Sequence, residues 1–148
     1  MGHTVEDGVA LARRGEHPGL ICRMPSGWVV LADMQYLKGY SVLLADPVVS
    51  SLNDLSRQQR ADFLLDMVTI GDALMQVTGA YRINYAVMGN SDPALHAHIV
   101  PRFSDEPEAY LHDQPWSYPR EIQMGRMLDK EIDRELIKQL KKAITGEN

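Results

Sequence analysis

The apolar residues of this chain fall first into short runs. Three runs follow one another closely, from Leu20 to Met24, from Trp28 to Ala32 and from Tyr40 to Ala45. Runs of this length, separated by turn-forming residues, are typical of β-strands. The link Pro25-Ser26-Gly27 predicts that the first two strands pair as an antiparallel hairpin.

A helical period replaces these runs later in the chain. Ser56 and Gln59 have the spacing of a capping box, and Gly79 stands where a helix end favours glycine. Between them, apolar side chains recur every three or four residues, at Phe63, Met67, Ile70, Leu74 and Val77. This pattern predicts one long amphipathic helix.

Helices are also predicted towards both ends of the chain. Thr4 to Arg14 places apolar residues at helical spacing behind a threonine cap. The stretch from about Arg120 to Ile144 has a similar spacing, with lysines near its end, and is predicted to be helical for most of its length. Ser104 to Pro119 contains three prolines and no clear period. Loops of this length are usually functional or lie at an interface.

Two further strands complete the predicted fold. Arg82 to Met88 and Leu95 to Phe103 are expected to form a hairpin around the polar turn from Gly89 to Pro93. Strands and crossover helices do not alternate in this order of elements. The sequence therefore predicts an α+β fold with an antiparallel sheet of about five strands.

Composition and charge narrow the class of protein. The chain has 148 residues, 45% hydrophobic and 24% charged, which suits one globular domain. Its net charge of −5 supplies no overall basic field to hold long nucleic acid or an anionic membrane. The lone Cys22 favours a reducing compartment, the apolar runs are too short to span a bilayer, and Met1 to Asp7 lacks a signal pattern. We expect a cytoplasmic protein.

The strongest candidates for chemistry are His96 and His98, two positions apart in the last predicted strand. Because side chains alternate along a strand, both imidazoles share one face, about 7 Å apart. Such a pair suits metal ligation, acid/base chemistry, or nucleophilic attack in which the second imidazole holds the substrate anion. The preceding Gly89-Asn90-Ser91 offers neutral amide and hydroxyl donors to phosphate oxygens.

The stretch from Asn84 to Arg102 resembles the histidine triad (HIT) superfamily of nucleotidyl hydrolases and transferases. The signature of that superfamily has three histidines alternating with apolar residues, then two apolar residues, often followed by Pro-Arg. Aligned on this tail, His96 falls on the middle histidine, His98 on the third and Ala94 on the first. The resemblance covers about residues 20–103. It implies a single HIT-like domain over 1–148, with a C-terminal loop and helix over 104–148.

The resemblance also implies an activity. His96 is expected to attack the α-phosphate of a (di)nucleoside polyphosphate or nucleoside phosphoramidate, forming a covalent nucleotidyl-histidine that water hydrolyses. His98 is expected to hold the phosphate oxygens. The side chains implied to bind the nucleotide or its phosphates are Asn84, Asn90, Ser91 and, towards the ribose, Asp33 with Gln35 as its competitor. The resemblance implies no required cofactor, although Mg²⁺ can accompany a polyphosphate substrate, and it implies a homodimer.

Alternatives stay open because Ala94 replaces the first histidine. If that histidine acts through its carbonyl, Ala94 keeps the contribution; if its imidazole protonates the leaving group, Ala94 restricts the enzyme to good leaving groups such as polyphosphates. A non-catalytic nucleotide-binding protein of the same fold is one alternative. A metal-dependent hydrolase is another, but catalytic zinc needs a third ligand, and no recognisable spacing marks the candidates His17, Cys22, Asp33 and His112.

Overall fold

A computed structural model describes residues 4–147; residues 1–3, at the start of the segment that lacks a signal pattern, and residue 148 lie outside the described part. Five strands form one sheet: β1 (Leu20–Met24), β2 (Gly27–Leu31), β3 (Ser41–Ala45), β4 (Arg82–Ala86) and β5 (His96–Arg102). Their order is β1-β2-β3-β5-β4, and every neighbouring pair is antiparallel. The predicted α+β fold and both predicted hairpins are confirmed.

Helices occur before, within and after the sheet. They are α1 (Val5–Arg13), α2 (Arg57–Thr78), α3 (Glu108–Leu111), α4 (Arg120–Gln123) and α5 (Arg134–Thr145), with 3-10 turns at Leu52–Asp54 and Pro115–Ser117. Thr4 and Ser56 cap α1 and α2, as predicted, and the capping box predicted for Ser56 is present. Thr4 forms a second capping box, with Asp7, that was not predicted. Gly79 ends α2 with a φ of 78°, a left-handed conformation that favours glycine.

The predicted helix from about Arg120 to Ile144 is wrong in its middle. Residues 124–133 leave the helix, and residues 126–128 lie beside residues 33–35. Backbone hydrogen bonds of 2.7 Å join these segments, from Gln35 N–H to the Arg126 carbonyl and from Leu128 N–H to the Asp33 carbonyl. Because these bonds require a non-helical backbone at 126–128, tertiary pairing overrides the local helical pattern.

The two faces of the sheet are covered differently. One face packs against α2 and α5 and forms the main core, in which Phe63, Leu74, Ala97 and Ile99 have no exposed surface. Burying such a large apolar side chain contributes about 1.5–3 kcal/mol relative to leaving it in water. On the other face, α1 covers one apolar cluster and the 104–119 segment covers another. The gap between these two covers exposes the middle of β5.

No helix within residues 4–147 combines the length and the apolar character that crossing a lipid bilayer requires.

Candidate active site

His96 and His98 lie on the sheet face opposite the main core, between the covers formed by α1 and the 104–119 segment. The centroids of their rings are 5.0 Å apart, with the ring planes at 73°. A cavity of about 290 Å³ opens beside both rings. Its lining includes the apolar Val5, Val30, Val42 and Leu44 and the carboxylates of Asp33 and Asp92. A mostly apolar cavity with a few polar groups is typical of a small-molecule site.

The ring of His96 is held by the backbone of its own strand. Nδ1 of His96 lies 2.8 Å from the carbonyl oxygen of Ala94. Since a carbonyl oxygen only accepts hydrogen bonds, Nδ1 carries the proton. Nε2 of His96 therefore keeps its lone pair, the electronic state that a nucleophilic imidazole requires.

His98 is bonded to a tyrosine instead. Its Nδ1 lies 2.8 Å from the hydroxyl oxygen of Tyr40, which is 4% exposed. Burial, together with the neighbouring His96, lowers the pKa of His98 to about 4. His98 is therefore uncharged at neutral pH. The indole ring of Trp116 packs edge-on against it, with centroids 5.4 Å apart and planes at 82°.

Ala94 occupies a packed position beside His96. Its side chain is 6% exposed and belongs to the cluster that includes Val5, Val9 and Leu44. Asp92 fixes this corner, since one carboxylate oxygen accepts from Val5 N–H at 2.8 Å and the other from Ala94 N–H at 3.2 Å. The start of α1 thus covers the side chain at position 94, while the carbonyl of that residue faces His96.

Asp33 and Gln35, the two residues predicted to contact the ribose, have different surroundings in the structure. Asp33 lines the cavity beside the histidines. Gln35 is 3% exposed, and its side-chain amide donates to the carbonyls of Ala32 and Tyr40 and accepts from Gly39 N–H. All three bonds lie within 2.8–3.0 Å. The amide of Gln35 therefore holds the turn between β2 and β3, whereas Asp33 is a residue of the cavity lining.

The remaining predicted residues lie outside the cavity lining. Asn84 lies on β4, where its side-chain oxygen accepts from Arg102 at 2.9 Å. Asn90 and Ser91 are exposed on the turn that leads from β4 towards β5. Gly89 begins this turn with a φ of 77°, in the left-handed region. The structure thus brings His96, His98 and Asp33 to one cavity and leaves the other four outside its lining.

Sequence reasoning missed Tyr40 and Trp116 as residues around His98. Tyr40 had a usable signal, because it alternates with Val42 and Leu44, which pair with His98 and His96 across the sheet. Trp116 had none, since the fold of the 104–119 segment decides which aromatic side chain of the loop reaches β5.

The charge of the cavity is low. Within residues 4–147, its lining contains no lysine or arginine. The same part of the chain holds no cluster of three or more His, Cys, Asp or Glu side chains arranged to hold a metal ion. An anion held in this cavity therefore contacts no lysine or arginine of the described lining, which also contains Asp33 and Asp92.

Comparisons with known proteins place the fold. A histidine triad protein from Sinorhizobium meliloti 1021 matches with a TM-score of 0.72 and 18% identity, over 88% of this chain and 93% of that one. A histidine triad protein from Bradyrhizobium japonicum matches with a TM-score of 0.65 and 24% identity, over 88% and 94%. A hypothetical histidine triad nucleotide-binding protein from Sulfolobus tokodaii strain7 matches with a TM-score of 0.71 and 14% identity, over 95% and 92%.

No protein-family profile and no curated protein sequence matches the chain. At these identities, the structural matches establish the fold. The chain has the fold of the histidine triad proteins, as its sequence predicted.

Proposed function

We propose that this protein is a nucleotidyl hydrolase of the HIT type, with His96 as its nucleophile. The observation that carries the proposal is the 2.8 Å bond between His96 Nδ1 and the Ala94 carbonyl, because it leaves Nε2 with a free lone pair beside an open cavity. The shared fold adds support, since several proteins of this fold carry the name histidine triad protein.

In the first step, Nε2 of His96 attacks the α-phosphorus. An N–P bond forms, the bond from phosphorus to the leaving group breaks, and the leaving group departs with the electron pair. The ring keeps its Nδ1 proton and becomes positively charged, and the Ala94 carbonyl oxygen stabilises that charge. Water then attacks phosphorus, so that an O–P bond forms and the N–P bond breaks. Nε2 recovers its lone pair, and the proton of the attacking water is released to solvent.

The phosphate is held without formal positive charge. The uncharged His98 offers a hydrogen bond to a non-bridging oxygen, and Asn90 and Ser91 on the neighbouring turn close over the leaving group when substrate binds. A phosphate linked on two sides carries one negative charge, whereas a terminal phosphate carries about two near neutral pH. A cavity without lysine or arginine therefore favours an internal phosphate as the reacting group.

The nucleoside fits the rest of the cavity. The apolar side chains under α1 offer a surface for the base, and the carboxylate of Asp33 accepts hydrogen bonds from ribose hydroxyls. Gln35 and Asn84 support the site instead of touching the ligand, because their amide groups bond within the protein. Mg²⁺ enters the proposal only as a companion of a polyphosphate substrate.

The leaving group is expected to be a phosphate and not an amine. Ala94 has no group that can transfer a proton, and His98 is uncharged above its pKa of about 4. An amine must be protonated to leave, whereas a polyphosphate leaves as an anion. We therefore propose dinucleoside polyphosphates as the preferred class of substrate over nucleoside phosphoramidates.

We also propose that the protein is a homodimer. β4 lies at an edge of the sheet, with one side unpaired among the described residues. Large apolar side chains are exposed on α2, on β4 and just before β4, namely Leu64, Leu65, Val68, Tyr81 and Tyr85. Sedimentation equilibrium should give twice the chain mass of 16.6 kDa for the wild type and a smaller mass for Leu65→Lys. A wild-type mass of one chain would contradict the dimer.

The activity is tested with diadenosine tetraphosphate and an adenosine phosphoramidate, each with and without a chelator. We expect turnover of the tetraphosphate by the wild type, none by His96→Ala, and wild-type turnover by the matched control His112→Ala. The side chain of His112 is 75% exposed. Substrate labelled at its α-phosphate should transfer the label to the wild-type protein in an acid-labile linkage. The same experiment should give no labelled protein with His96→Ala.

The other outcomes separate the alternatives. Tight nucleotide binding without turnover by the wild type identifies a non-catalytic binding protein and overturns the proposal. Loss of phosphoramidate turnover on chelation identifies a metal-dependent hydrolase. Turnover by His96→Ala excludes His96 as the nucleophile.

A further inference from the structure

Tyr40 is a buried residue that contacts His98. Its hydroxyl oxygen lies 2.8 Å from Nδ1 of His98, and the two ring centroids are 5.9 Å apart. Tyr40 and Trp116 belong to one apolar cluster on this face of the sheet. Burial raises the pKa of Tyr40, and the neighbouring Trp116 partly offsets that rise.

The direction of the Tyr40–His98 hydrogen bond follows from the available acceptors. A buried hydroxyl proton needs an acceptor, and leaving it without one costs about 1–3 kcal/mol. Indole has a donor and no acceptor, so Trp116 cannot take the proton. Within residues 4–147, Nδ1 of His98 is the one acceptor that the structure gives the Tyr40 hydroxyl.

We infer that Tyr40 is a positioning residue that fixes His98 as the tautomer with its proton on Nε2, and that Trp116 holds Tyr40 in this role. With Nδ1 accepting from Tyr40, the single proton of the uncharged ring resides on Nε2. Nε2–H then serves as a donor to a ligand oxygen beside His96. A neutral donor pair, from the Tyr40 hydroxyl to His98, thus replaces a cationic side chain in holding the anion.

The two histidines of the strand are therefore held in opposite tautomers. The Ala94 carbonyl oxygen accepts from Nδ1 of His96 and leaves Nε2 as a lone pair. The Tyr40 hydroxyl donates to Nδ1 of His98 and leaves Nε2 as a donor. One ring is prepared to attack and its neighbour to hold an oxygen, although both are the same residue type on one face of β5.

The inference is tested first in the ligand-free protein, where its outcome does not depend on the proposed activity. Long-range ¹H–¹⁵N spectra of ¹⁵N-labelled protein at pH 7 report which imidazole nitrogen carries the proton, with His98→Asn used for assignment. We expect His98 to be protonated at Nε2 and His96 at Nδ1. Tyr40→Phe should give His98 as a mixture of both tautomers, whereas the control Tyr81→Phe should match the wild type. Tyr81 is 47% exposed and lies outside the cavity lining.

Trp116→Phe provides a second variant if Tyr40→Phe does not fold. It keeps a smaller ring against His98 and loosens the packing of the cluster that holds Tyr40, so a minor Nδ1–H form of His98 should become detectable. A His98 protonated at Nδ1 in the wild type overturns the inference. So does an unchanged His98 tautomer in both folded variants.

The catalytic consequence rests on the proposed function. Removing a fixed transition-state donor costs 10²–10³ in kcat, so loosening one through Tyr40→Phe should cost about tenfold, with a smaller change in KM. If the wild type turns over no nucleotide but shows the expected tautomers, the proposed function fails and the tautomer assignment stands. If the wild type is active and Tyr40→Phe keeps the tautomer, the inference alone fails.

Discussion

The carbonyl oxygen of Ala94 lies 2.8 Å from Nδ1 of His96, while the methyl group of Ala94 packs beneath α1. The residue thus contacts His96 through its backbone and the apolar cluster through its side chain. A residue without an imidazole is therefore sufficient at this position to set the tautomer of the proposed nucleophile. This separation of backbone and side-chain roles can be tested directly.

Ala94→Ser should retain the turnover of the wild type within a few-fold, because every amino acid supplies the same carbonyl. Ala94→His should instead destabilise the protein by about 1–3 kcal/mol, since a larger side chain must displace the start of α1. Steady-state kinetics and urea unfolding measure the two effects. A large loss of kcat in a stably folded Ala94→Ser would mean that the side chain at position 94 matters for the reaction.

The sheet and α2 could be predicted because their signals are local. The capping boxes of Thr4 and Ser56, and the alternation around His96, depend on residues close together in the sequence. The segment 124–133 could not be predicted this way. Its apolar spacing is helical, yet its backbone bonds to residues 33–35, nearly a hundred residues away along the chain. A local pattern contains no information about such a partner.

The same limit applies to the polar residues of the site. Asp33 and Gln35 are two positions apart and equally plausible as ribose ligands in the sequence. Only the tertiary structure shows that the buried amide of Gln35 is fully occupied by the turn around Gly39. Likewise, the sequence cannot show that Arg102 engages the amide of Asn84.

Substitutions of Asp33 and of Gln35 should have opposite kinds of effect. Asp33→Asn should raise KM for a nucleotide substrate several-fold and leave the free energy of unfolding within about 0.5 kcal/mol of the wild type. Gln35→Ala should lower that free energy by about 2–4 kcal/mol, because it leaves two carbonyls and one N–H without their bonds. Substrate titrations and urea unfolding distinguish the cases. A stable Gln35→Ala with a raised KM would instead make Gln35 a ligand.

The lowered pKa of His98 predicts how stability changes with pH. The unfolded imidazole takes up a proton below its ordinary pKa of 6.5, whereas the folded one does so only near 4. Between these values the unfolded state binds more protons, so stability rises with pH and is lost as the pH falls through this window. At pH 4 this effect of His98 has lowered the free energy of unfolding by about 3 kcal/mol. About 2 kcal/mol of that loss falls between pH 6.5 and pH 5.

Urea unfolding of the wild type and His98→Asn at pH 7 and pH 5 isolates this contribution. The two proteins share every other ionisable side chain, and pH 5 lies above the ordinary pKa of carboxylates, so the contributions of those side chains largely cancel. The wild type should lose about 2 kcal/mol more than the variant between the two pH values. Equal losses would show that folding does not disfavour the charged form of His98.

The position of Trp116 depends on Arg102, which lies on the same face of β5 as His98. Arg102 follows His98 by four residues, so its side chain emerges on the same side of β5. There it pairs with Glu106 at 2.9 Å and donates to the carbonyls of Asp113 and Tyr110. The side chains of Arg102 and Glu106 are only 3% and 4% exposed. This pair therefore fastens the 104–119 segment, and with it Trp116, over the site.

Glu106→Gln should destabilise the protein by about 3–5 kcal/mol, because it leaves the buried charge of Arg102 without its counter-charge. Glu106 also accepts from the Tyr118 hydroxyl at 2.6 Å and from Phe103 N–H at 2.7 Å, so the whole segment should loosen. Hydrogen exchange of amides within 104–119 should accelerate more than exchange in α2. The matched control Glu108→Gln changes a carboxylate that is 86% exposed and should stay within about 0.5 kcal/mol of the wild type. Equal stability of the two variants would mean that Trp116 reaches His98 without this anchor. The segment would then have to be held by other contacts, such as the bond from the Tyr36 hydroxyl to the Pro115 carbonyl.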